Sequence, residues 1–353
     1  MSKYWSPTAR SIEPYTPGEQ PRDRRYIKLN TNESPYPPAP AVLEAIGRAA
    51  DESLRLYPDP ECEDFRTTVG RYFGLQGDQV FPGNGSDELL AFAYFAFFDP
   101  DAAEPILFPD ITYSFFPVYA SLFRIPFERV PLREDFSIPL EPFCRPNGGI
   151  VLANPNAPTG MCLSIDAVRS ILEGNGNRVV IVDEAYIDFG GDTAAGLVPE
   201  FPNLLVIHTL SKSRSLAGLR VAYALGQAEL IEGINRIKNS INSYTLDRLA
   251  LAGATAAMKE ESYYREMRGK ITATRERVTG ALVDMGFTVV PSRANFIFTS
   301  HPTEPAGSLF SSLRELGILV RYFNLPRIDN HLRVTIGTDA EMDAFLAALK
   351  RLV

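Results

Sequence analysis

Cysteine is scarce in this sequence, and long uncharged apolar runs are missing. The three cysteines, Cys62, Cys144 and Cys162, are odd in number and lack the paired spacing of metal ligands. They argue against a disulfide-stapled scaffold and fit a reducing compartment. No apolar stretch is long enough for a transmembrane helix, and the first residues lack the apolar core of a signal peptide. We therefore expect a cytoplasmic protein with no membrane-spanning segment.

Excess positive charge, clustered histidines and the common nucleotide-binding motifs are missing as well. Lys and Arg number 35 against 43 Asp and Glu, and the net charge of −8 argues against a general nucleic-acid binder. His208, His301 and His331 lie far apart in the sequence, so we predict no metal site. The glycine-rich segment 83–88 ends in Glu88 rather than a third glycine, so the dinucleotide fingerprint fails, and no Walker-type lysine motif is present.

The sequence does contain short apolar runs that end in small or polar residues. Runs at 149–153, 178–182 and 204–207 predict buried strands that lead into loops. Residues 164–173 fit a crossover helix between the first two strands. This alternation favours a mostly parallel sheet with right-handed crossovers. Ligands of such sheets bind at the carboxyl ends of the strands, so the residues that follow these runs are candidates for a site.

Lys212 follows the third run, with Ser211 beside it and Arg220 eight residues later. An amine at that edge could form a Schiff base with a phosphorylated aldehyde, while the hydroxyl and the guanidinium bind the phosphate. Taken alone, the segment is also typical of an ordinary polar loop with a solvated lysine. The other strand ends therefore have to decide between the two interpretations.

Two further strand ends carry residues suited to a pyridine cofactor. Asp183 could hold the ring nitrogen protonated, although an acid there could equally cap a helix. Asn156 could donate to a phenolate oxygen, or serve only as a turn former. In addition, Gly85 and Ser86 open a predicted helix, whose free backbone N–H groups can bind phosphate.

Three motifs resemble those of a known family. They are Asn-Pro-Asn-Ala-Pro-Thr-Gly at 154–160, Asp-Glu-Ala-Tyr at 183–186, and the segment 211–220, which begins with Ser-Lys and ends with Gly-Leu-Arg. The chain thereby resembles the pyridoxal-phosphate enzymes of the aspartate-aminotransferase fold, and most closely the histidinol-phosphate aminotransferases. The similarity reaches from 29–35 to 332–337 and so covers nearly the whole chain.

The resemblance implies an α/β fold with two domains and an arm. The large domain, 41–240, is expected to contain a mostly parallel seven-stranded sheet and to bind pyridoxal 5'-phosphate. A smaller α+β domain is expected at 241–353. The Pro-rich residues 1–40 are expected to form an extended arm, rather than a packed helix, that lies near the small domain and the active site.

Local patterns refine this picture for the second half of the chain. A long helical pattern runs from 228 to 258 and another from 261 to 285. Charges between the apolar positions of the second pattern predict an exposed connecting helix. Residues 318–321 predict one short strand.

The resemblance also assigns roles to individual residues. It implies that Lys212, Asp183 and Tyr186 are catalytic. Cofactor contacts are implied for Gly85, Ser86, Asp87, Tyr113, Asn156, Asp183, Tyr186, Ser211, Lys212 and Arg220, together with Tyr57 of the partner subunit. Because Tyr57 would reach the neighbouring site, a homodimer is expected. Substrate contacts are implied for Arg333, Arg321, Tyr15 and Asn30.

Arg333 also has a physical reason to bind substrate. It lies within an apolar strand pattern, where a lone cation is costly unless it is paired, so an anionic ligand explains it. A structural salt bridge is the alternative for Arg333. For Arg321 the alternative is an ordinary surface position.

The implied reaction transfers the amine of L-histidinol phosphate to 2-oxoglutarate, which yields imidazole-acetol phosphate and L-glutamate in histidine biosynthesis. An aromatic amino acid aminotransferase and a phosphoamino-acid decarboxylase of the same fold are alternatives. Arg214 and His208 stand where the family pattern has a large apolar residue and an arginine, and they leave the shape and charge of the substrate pocket open. A non-catalytic transcription regulator is disfavoured, because the roughly forty residues before the fold are too few for a DNA-binding module.

Overall fold

Residues 3–353 are described by a computed structural model. The strands within them are β1 (Ile27–Lys28), β2 (Val80–Gly83), β3 (Ile106–Pro109), β4 (Phe127–Val130), β5 (Gly149–Ala153), β6 (Val180–Asp183), β7 (Leu204–Thr209), β8 (Ala222–Leu225), β9 (Thr288–Val290), β10 (Phe296–Ser300), β11 (Ile318–Leu319), β12 (Arg321–Tyr322) and β13 (Leu332–Thr335). The α-helices are α1 (Pro7–Ser11), α2 (Pro40–Ala49), α3 (Glu63–Phe73), α4 (Ser86–Phe97), α5 (Phe115–Leu122), α6 (Ile165–Glu173), α7 (Ala228–Ile241), α8 (Arg248–Lys259), α9 (Glu261–Asp284), α10 (Ala306–Glu315) and α11 (Asp339–Leu349). None of these helices is both long enough and apolar enough to cross a membrane.

Seven strands form the central sheet, in the order β2-β8-β7-β6-β5-β3-β4. Strand β8 runs antiparallel to β2 and β7, and the other neighbouring pairs are parallel. All residues of β5, β6 and β7 are buried. Because both faces of this sheet are covered, its strands appear in the sequence as continuous apolar runs. The predicted mostly parallel seven-stranded sheet is confirmed.

Successive residues of the central strands alternate between two hydrophobic cores. Val180 and Val182 of β6 join the core formed with α3, α6 and α8, whereas Ile181 joins the core formed with α4, α5 and α7. Burying a side chain of this size contributes roughly 1.5–3 kcal/mol. The two layers therefore hold the carboxyl ends of the strands, and the loops that follow them, in fixed positions.

A second sheet has the order β12-β13-β10-β9 and is antiparallel. It packs with α9, α10 and α11 around a third core. Strand β1 of the N-terminal arm pairs in parallel with β11, which ties the arm to this α+β region. Helix α8 packs against α2 and α3 although it lies beyond residue 240. The domain limits at residues 40 and 240 stay predictions.

Four local expectations differ from the structure. The helical pattern at 228–258 is broken into α7 and α8, because the Asp247 side chain accepts a hydrogen bond from the Ala250 N–H and starts a new helix. The strand expected at 318–321 is divided between two sheets. In the arm, Ser6 caps the short helix α1. Helix α9 is not simply exposed, since it buries a stripe of its residues against α11 and β9.

Candidate active site

A cleft of about 310 Å³ opens where the residues after β6 and β7 meet the antiparallel sheet and the arm. In open α/β sheets this edge is where ligands bind. The site residues predicted from the sequence that line the cleft are Tyr15, Asn30, Ser86, Asp87, Tyr113, Asp183, Tyr186, Ser211, Lys212, Arg220, Arg321 and Arg333. Gly85, Asn156 and Tyr57 do not line it.

Lys212 lies in the loop after β7, with its amine in the cleft. Its Nζ donates a hydrogen bond to the carbonyl oxygen of Thr31, 3.1 Å away, and lies 5.9 Å from the centre of the Tyr186 ring. Burial, and then the nearby charge of Arg333, lower the pKa of Lys212 to about 8. A substantial share of the amine is therefore neutral near pH 8, as a nucleophile requires.

Asp183 is the last residue of β6 and is buried. Its carboxylate accepts a hydrogen bond from the Ala185 N–H at 3.1 Å. Burial raises the pKa of Asp183 to about 7, and the charge of Asp87 adds to the rise. A carboxyl group in this state ionises readily as soon as a cation is placed against it.

The start of α4 and Arg220 form the basic end of the cleft. Gly85 precedes α4 and no side chain caps the helix, so backbone N–H groups remain available there. The Arg220 guanidinium lies directly over Gly85, because a Cβ added to this glycine would come within 2.3 Å of Arg220 Nη2. The φ angle of Gly85 is 83°, which glycine adopts at little cost. With Ser86 and Ser211 in the same lining, these groups fit a phosphate.

Asp87 connects this basic end to an aromatic wall. Its Oδ1 accepts a hydrogen bond from the Tyr113 hydroxyl at 2.7 Å, and its Oδ2 lies 3.8 Å from Arg220 Nη2. The Tyr113 ring faces Tyr15 of the arm, with ring centres 6.4 Å apart, and Tyr15 stacks on Phe115 at 4.4 Å. The aromatic wall is therefore held in a fixed position relative to the arginine.

Arg321 and Arg333 are cross-strand neighbours on β12 and β13. Arg333 Nη2 donates to the Asn30 carbonyl at 3.0 Å, and Arg321 Nη2 donates to the Thr16 carbonyl at 3.3 Å. The Nε of Arg333 is buried without a hydrogen-bond partner. Burial lowers the pKa of Arg333, and the charge of Arg321 adds to this effect. An anion bound between the two guanidiniums would satisfy both.

Asn156 lies behind the cleft wall and is fully buried. Its Nδ2 donates to the Ile111 carbonyl at 2.9 Å and to Thr159 Oγ1 at 3.2 Å, while its Oδ1 accepts from Thr112 Oγ1 at 2.7 Å. Both amide hydrogens are thus used within the protein. The next residue, Ala157, lines the cleft instead. The hydrogen bond from Asn156 to a phenolate oxygen stays a prediction, and the amide of Asn156 has no free hydrogen with which to form it.

Arg214 and His208, the two departures from the family pattern, do not line the cleft. His208 Nε2 lies 2.9 Å from Glu184 Oε2, and both side chains are buried. Arg214 Nη2 lies 2.7 Å from Glu261 Oε2, with the guanidinium 5.1 Å from the centre of the Tyr264 ring. Both residues stabilise the protein around the lysine loop, and neither shapes the pocket.

The cleft is also lined by residues that the sequence does not single out, among them Thr31, Asn32 and Ala157. Asn32 donates through Nδ2 to the Tyr186 hydroxyl oxygen at 3.0 Å. The segment that contains Thr31 and Asn32 had been matched to the family, but only Asn30 was selected from it. No local pattern distinguishes Asn30 from Asn32, because the difference lies in which distant residue each one meets.

The fold and the cleft define a class of enzyme. A lysine at the carboxyl edge of a mostly parallel sheet, with a buried acid and a phosphate cradle, is the arrangement expected of pyridoxal-phosphate enzymes. The sequence matches the family model of class I and II aminotransferases over residues 24–349. This chain belongs to that family, whose members use pyridoxal phosphate.

Particular relatives narrow the similarity further. The chain is 55% identical to the histidinol-phosphate aminotransferase of Clostridium acetobutylicum over the full length of both. It is 53% identical to that of Clostridium beijerinckii over 350 residues, which cover 99% of this chain and 97% of the relative. The predicted family, enzyme class and cofactor are confirmed.

Solved structures agree with this assignment. A histidinol-phosphate aminotransferase from Sinorhizobium meliloti, in complex with pyridoxal-5'-phosphate, matches with a TM-score of 0.90 and 25% identity over 100% of this chain and 99% of that one. A variant of Thermus thermophilus aspartate aminotransferase matches with a TM-score of 0.84 over the full length of both chains. At 17% identity, the latter shows the fold alone.

Proposed function

We propose that this enzyme transfers the amino group of L-histidinol phosphate to 2-oxoglutarate, with imidazole-acetol phosphate and L-glutamate as products. The relatives that share 55% and 53% of its residues are histidinol-phosphate aminotransferases. The observation that carries the proposal is the pair Arg321 and Arg333. Neither guanidinium forms an ion pair with an acidic residue among residues 3–353, and two such groups side by side suit a phosphate dianion. The same pair can bind a carboxylate of 2-oxoglutarate in the second half of the reaction.

The cleft fits pyridoxal phosphate in its charges and in its shape. Gly85 lets the Arg220 guanidinium lie directly over the start of α4, and Asp183 is a buried acid with a raised pKa that a cation would stabilise in its ionised form. When bound, pyridoxal phosphate supplies an aldehyde that takes up amines and a protonated ring that stabilises negative charge at the amine-bearing carbon.

Lys212 would hold the aldehyde of pyridoxal phosphate through Nζ and would be the group that moves a proton at the amine-bearing carbon of the substrate. Its hydrogen bond to Thr31 keeps the amine within the cleft. Asp183 would hold the proton of the ring nitrogen, and Tyr186 would donate a hydrogen bond to the ring oxygen. Tyr113 would pack against the ring.

The phosphate of the cofactor and the substrate are bound by separate groups. Ser86, Ser211, Arg220 and the N–H groups at the start of α4 bind the cofactor phosphate, with Gly85 allowing the close approach. At the opposite side of the cleft Arg333 and Arg321 bind the anionic end of the substrate, and Asn30 fixes Arg333 through its carbonyl oxygen. Tyr15 packs against the substrate ring.

The substrate assignment is tested by comparing histidinol phosphate with phenylalanine as amino donors. Purified enzyme with pyridoxal phosphate is titrated with each donor, and the loss of its visible band and its recovery with 2-oxoglutarate are recorded. We expect kcat/KM to be about 10- to 150-fold higher for histidinol phosphate, since a second charge-assisted contact is worth about 1.5–3 kcal/mol. Equal or better use of phenylalanine would favour the aromatic aminotransferase, and carbon dioxide release without a 2-oxoglutarate requirement would favour the decarboxylase.

Replacing Arg333 by lysine tests the anion site. The variant keeps a positive charge but loses the planar pair of donors, so we expect KM for histidinol phosphate to rise about 10- to 100-fold with a smaller change in kcat. Arg277→Lys, in an exposed ion pair with Asp339, is the matched control and should leave KM unchanged. Steady-state kinetics with both variants make the comparison. An unchanged KM in Arg333→Lys would contradict the assigned role.

We also propose that the enzyme works as a homodimer in which the partner subunit's Tyr57 completes each cofactor site. In the single chain Tyr57 is 78% exposed and stacks on Tyr244, with Leu54 and Leu56 exposed beside it. An exposed apolar turn of this kind suits a contact with a second copy. The three free cysteines fit a cytosolic enzyme, and fractionation of cells tests that location.

Mixing two inactive variants tests the shared site. Lys212→Ala supplies an intact Tyr57, and Tyr57→Ala supplies an intact Lys212, so a mixed dimer contains one complete site. After the subunits are exchanged, activity should return to about a quarter of the wild-type value, as expected for random pairing in a symmetric dimer. No recovery, although native mass spectrometry shows mixed dimers, would place Tyr57 outside the site.

A further inference from the structure

Asn32 is held more tightly than its place in an arm would suggest. Its φ angle is 57°, a left-handed conformation that costs energy for most residues and persists only where the surroundings impose it. Its N–H donates to Thr335 Oγ1 at 2.9 Å, and its carbonyl accepts from Asn295 Nδ2 at 3.0 Å. These three residues are almost fully buried. The backbone of Asn32 is therefore fixed by contacts with the small sheet.

The side-chain amide of Asn32 is fixed as well. Its Oδ1 accepts a hydrogen bond from Thr335 Oγ1 at 3.0 Å, which leaves Nδ2 facing Tyr186, and Nδ2 donates to the Tyr186 hydroxyl oxygen at 3.0 Å. Exchanging the two ends of the amide would make Thr335 Oγ1 accept both from the Asn32 N–H and from Nδ2, and would leave the Thr335 hydroxyl proton with no acceptor among residues 3–353. Asn32 therefore presents a donor, and not an acceptor, to the tyrosine.

This donor determines where the tyrosine proton points. A phenol hydroxyl has one proton to donate and two lone pairs to accept with. The amide of Asn32 occupies one lone pair of Tyr186, and within residues 3–353 the hydroxyl proton has no acceptor. The hydroxyl lines the cleft, so the cleft is the direction left for the proton.

The neighbouring asparagine cannot perform the same task. Both amide hydrogens of Asn156 are bound by Ile111 and Thr159, and Ala157, which does line the cleft, has no side-chain donor. Neither residue can therefore replace Tyr186 as a side-chain donor to a ring oxygen of the cofactor. The direction of its single proton then matters more than it would with a second donor present.

We propose that Asn32 is a positioning residue that turns the hydroxyl proton of Tyr186 toward the ring oxygen of the bound cofactor. This inference rests on the proposed function, because it requires pyridoxal phosphate held by Lys212. Asn32 acts through Tyr186 and does not itself exchange a proton. A hydrogen bond to the ionised ring oxygen favours the deprotonated form of the bound cofactor, so losing it raises the pH at which the visible band changes.

The test is a pH titration of the visible band in variants of Asn32 and Tyr186. Asn32→Gly keeps the left-handed backbone and removes the amide, and the pH midpoint should rise by about one unit, as a lost hydrogen bond of ordinary strength implies. Asn32→Asp presents an acceptor that takes the tyrosine proton, so its midpoint should rise at least as far. Thr335→Ser keeps the hydroxyl that orients Asn32 and should titrate like the wild type.

A double variant separates positioning from a merely structural role. In Tyr186→Phe the midpoint rises by itself, and adding Asn32→Gly should raise it no further, because the group through which Asn32 acts is gone. Thermal unfolding of each variant verifies that it is folded. An unchanged midpoint in Asn32→Gly, or an equal shift with and without Tyr186, would overturn the inference. If the wild type shows no Lys212-dependent band, the proposed function fails and this inference fails with it.

Discussion

Replacing Lys212 by alanine should lower the transamination rate by at least about 10³-fold, since a group that moves protons in the reaction typically contributes 10²- to 10⁴-fold. The visible band that depends on the lysine should also disappear. Lys270→Ala is the matched control, because Lys270 lies exposed on α9 in an ion pair with Glu266. Steady-state rates and absorption spectra of both variants provide the measurement. Retained activity in Lys212→Ala would remove the basis of the mechanism.

The lowered pKa of Lys212 makes a related prediction about pH. Only the neutral amine attacks an aldehyde, and burial with the charge of Arg333 lowers the pKa of Lys212 to about 8. Enzyme stripped of cofactor should therefore take up pyridoxal phosphate faster as pH rises, by about tenfold per unit, and level off above about pH 8. Stopped-flow absorption records the uptake. A rate that still climbs at pH 10 would indicate an amine with its ordinary pKa.

Asp183→Asn should stabilise the cofactor-free enzyme above pH 7 by up to about 4 kcal/mol. Burial raises the pKa of Asp183 from 3.8 to about 7, and each unit of this shift corresponds to about 1.4 kcal/mol. The unfolded chain loses this proton near pH 3.8, whereas the folded chain keeps it to about pH 7, so the wild type loses stability as pH rises between these values. Asparagine stays neutral, so the variant does not lose stability over this pH range. Its side-chain oxygen can keep the bond to the Ala185 N–H.

Urea unfolding of both proteins at several pH values between 4 and 8 measures this difference. The stability gap between variant and wild type should be small at pH 4, widen with pH and level off above about pH 7. With pyridoxal phosphate the order should reverse, because the wild-type carboxylate then has a cationic partner and asparagine has none. A gap that is constant with pH would show that Asp183 is not held protonated by burial.

The chemistry of the site followed from the ends of predicted strands. Asp183 and Lys212 could be placed in one site from the sequence, because apolar runs predict parallel strands and the carboxyl ends of parallel strands meet at one edge of the sheet. The seven-stranded sheet, which the family resemblance implies, is confirmed. The interrupted helix at 228–258 was missed, because its periodicity continues across the break and only the cap at Asp247 marks it.

The orientation of side chains was harder to predict from the sequence. Asn156 was assigned to the cofactor from its motif, yet its amide faces Ile111 and Thr159 behind the wall. The family pattern leaves Arg214 and His208 as candidates for shaping the pocket, but Arg214 forms an ion pair with Glu261 and His208 contacts Glu184, both outside the cleft. In each case the partner is a side chain or carbonyl that a local pattern does not identify.

The fold class, the family and the residues that could carry the chemistry are predictable from the amino-acid sequence, since all three depend on local patterns and motifs along one chain. That Arg321 lies opposite Arg333, and that Asn32 contacts Tyr186, 154 residues away, is visible only in the folded protein. These contacts depend on how distant segments are aligned against each other. Which side chain opposes which is set by packing between distant segments, and a shift of one residue in a strand turns every side chain to the other face.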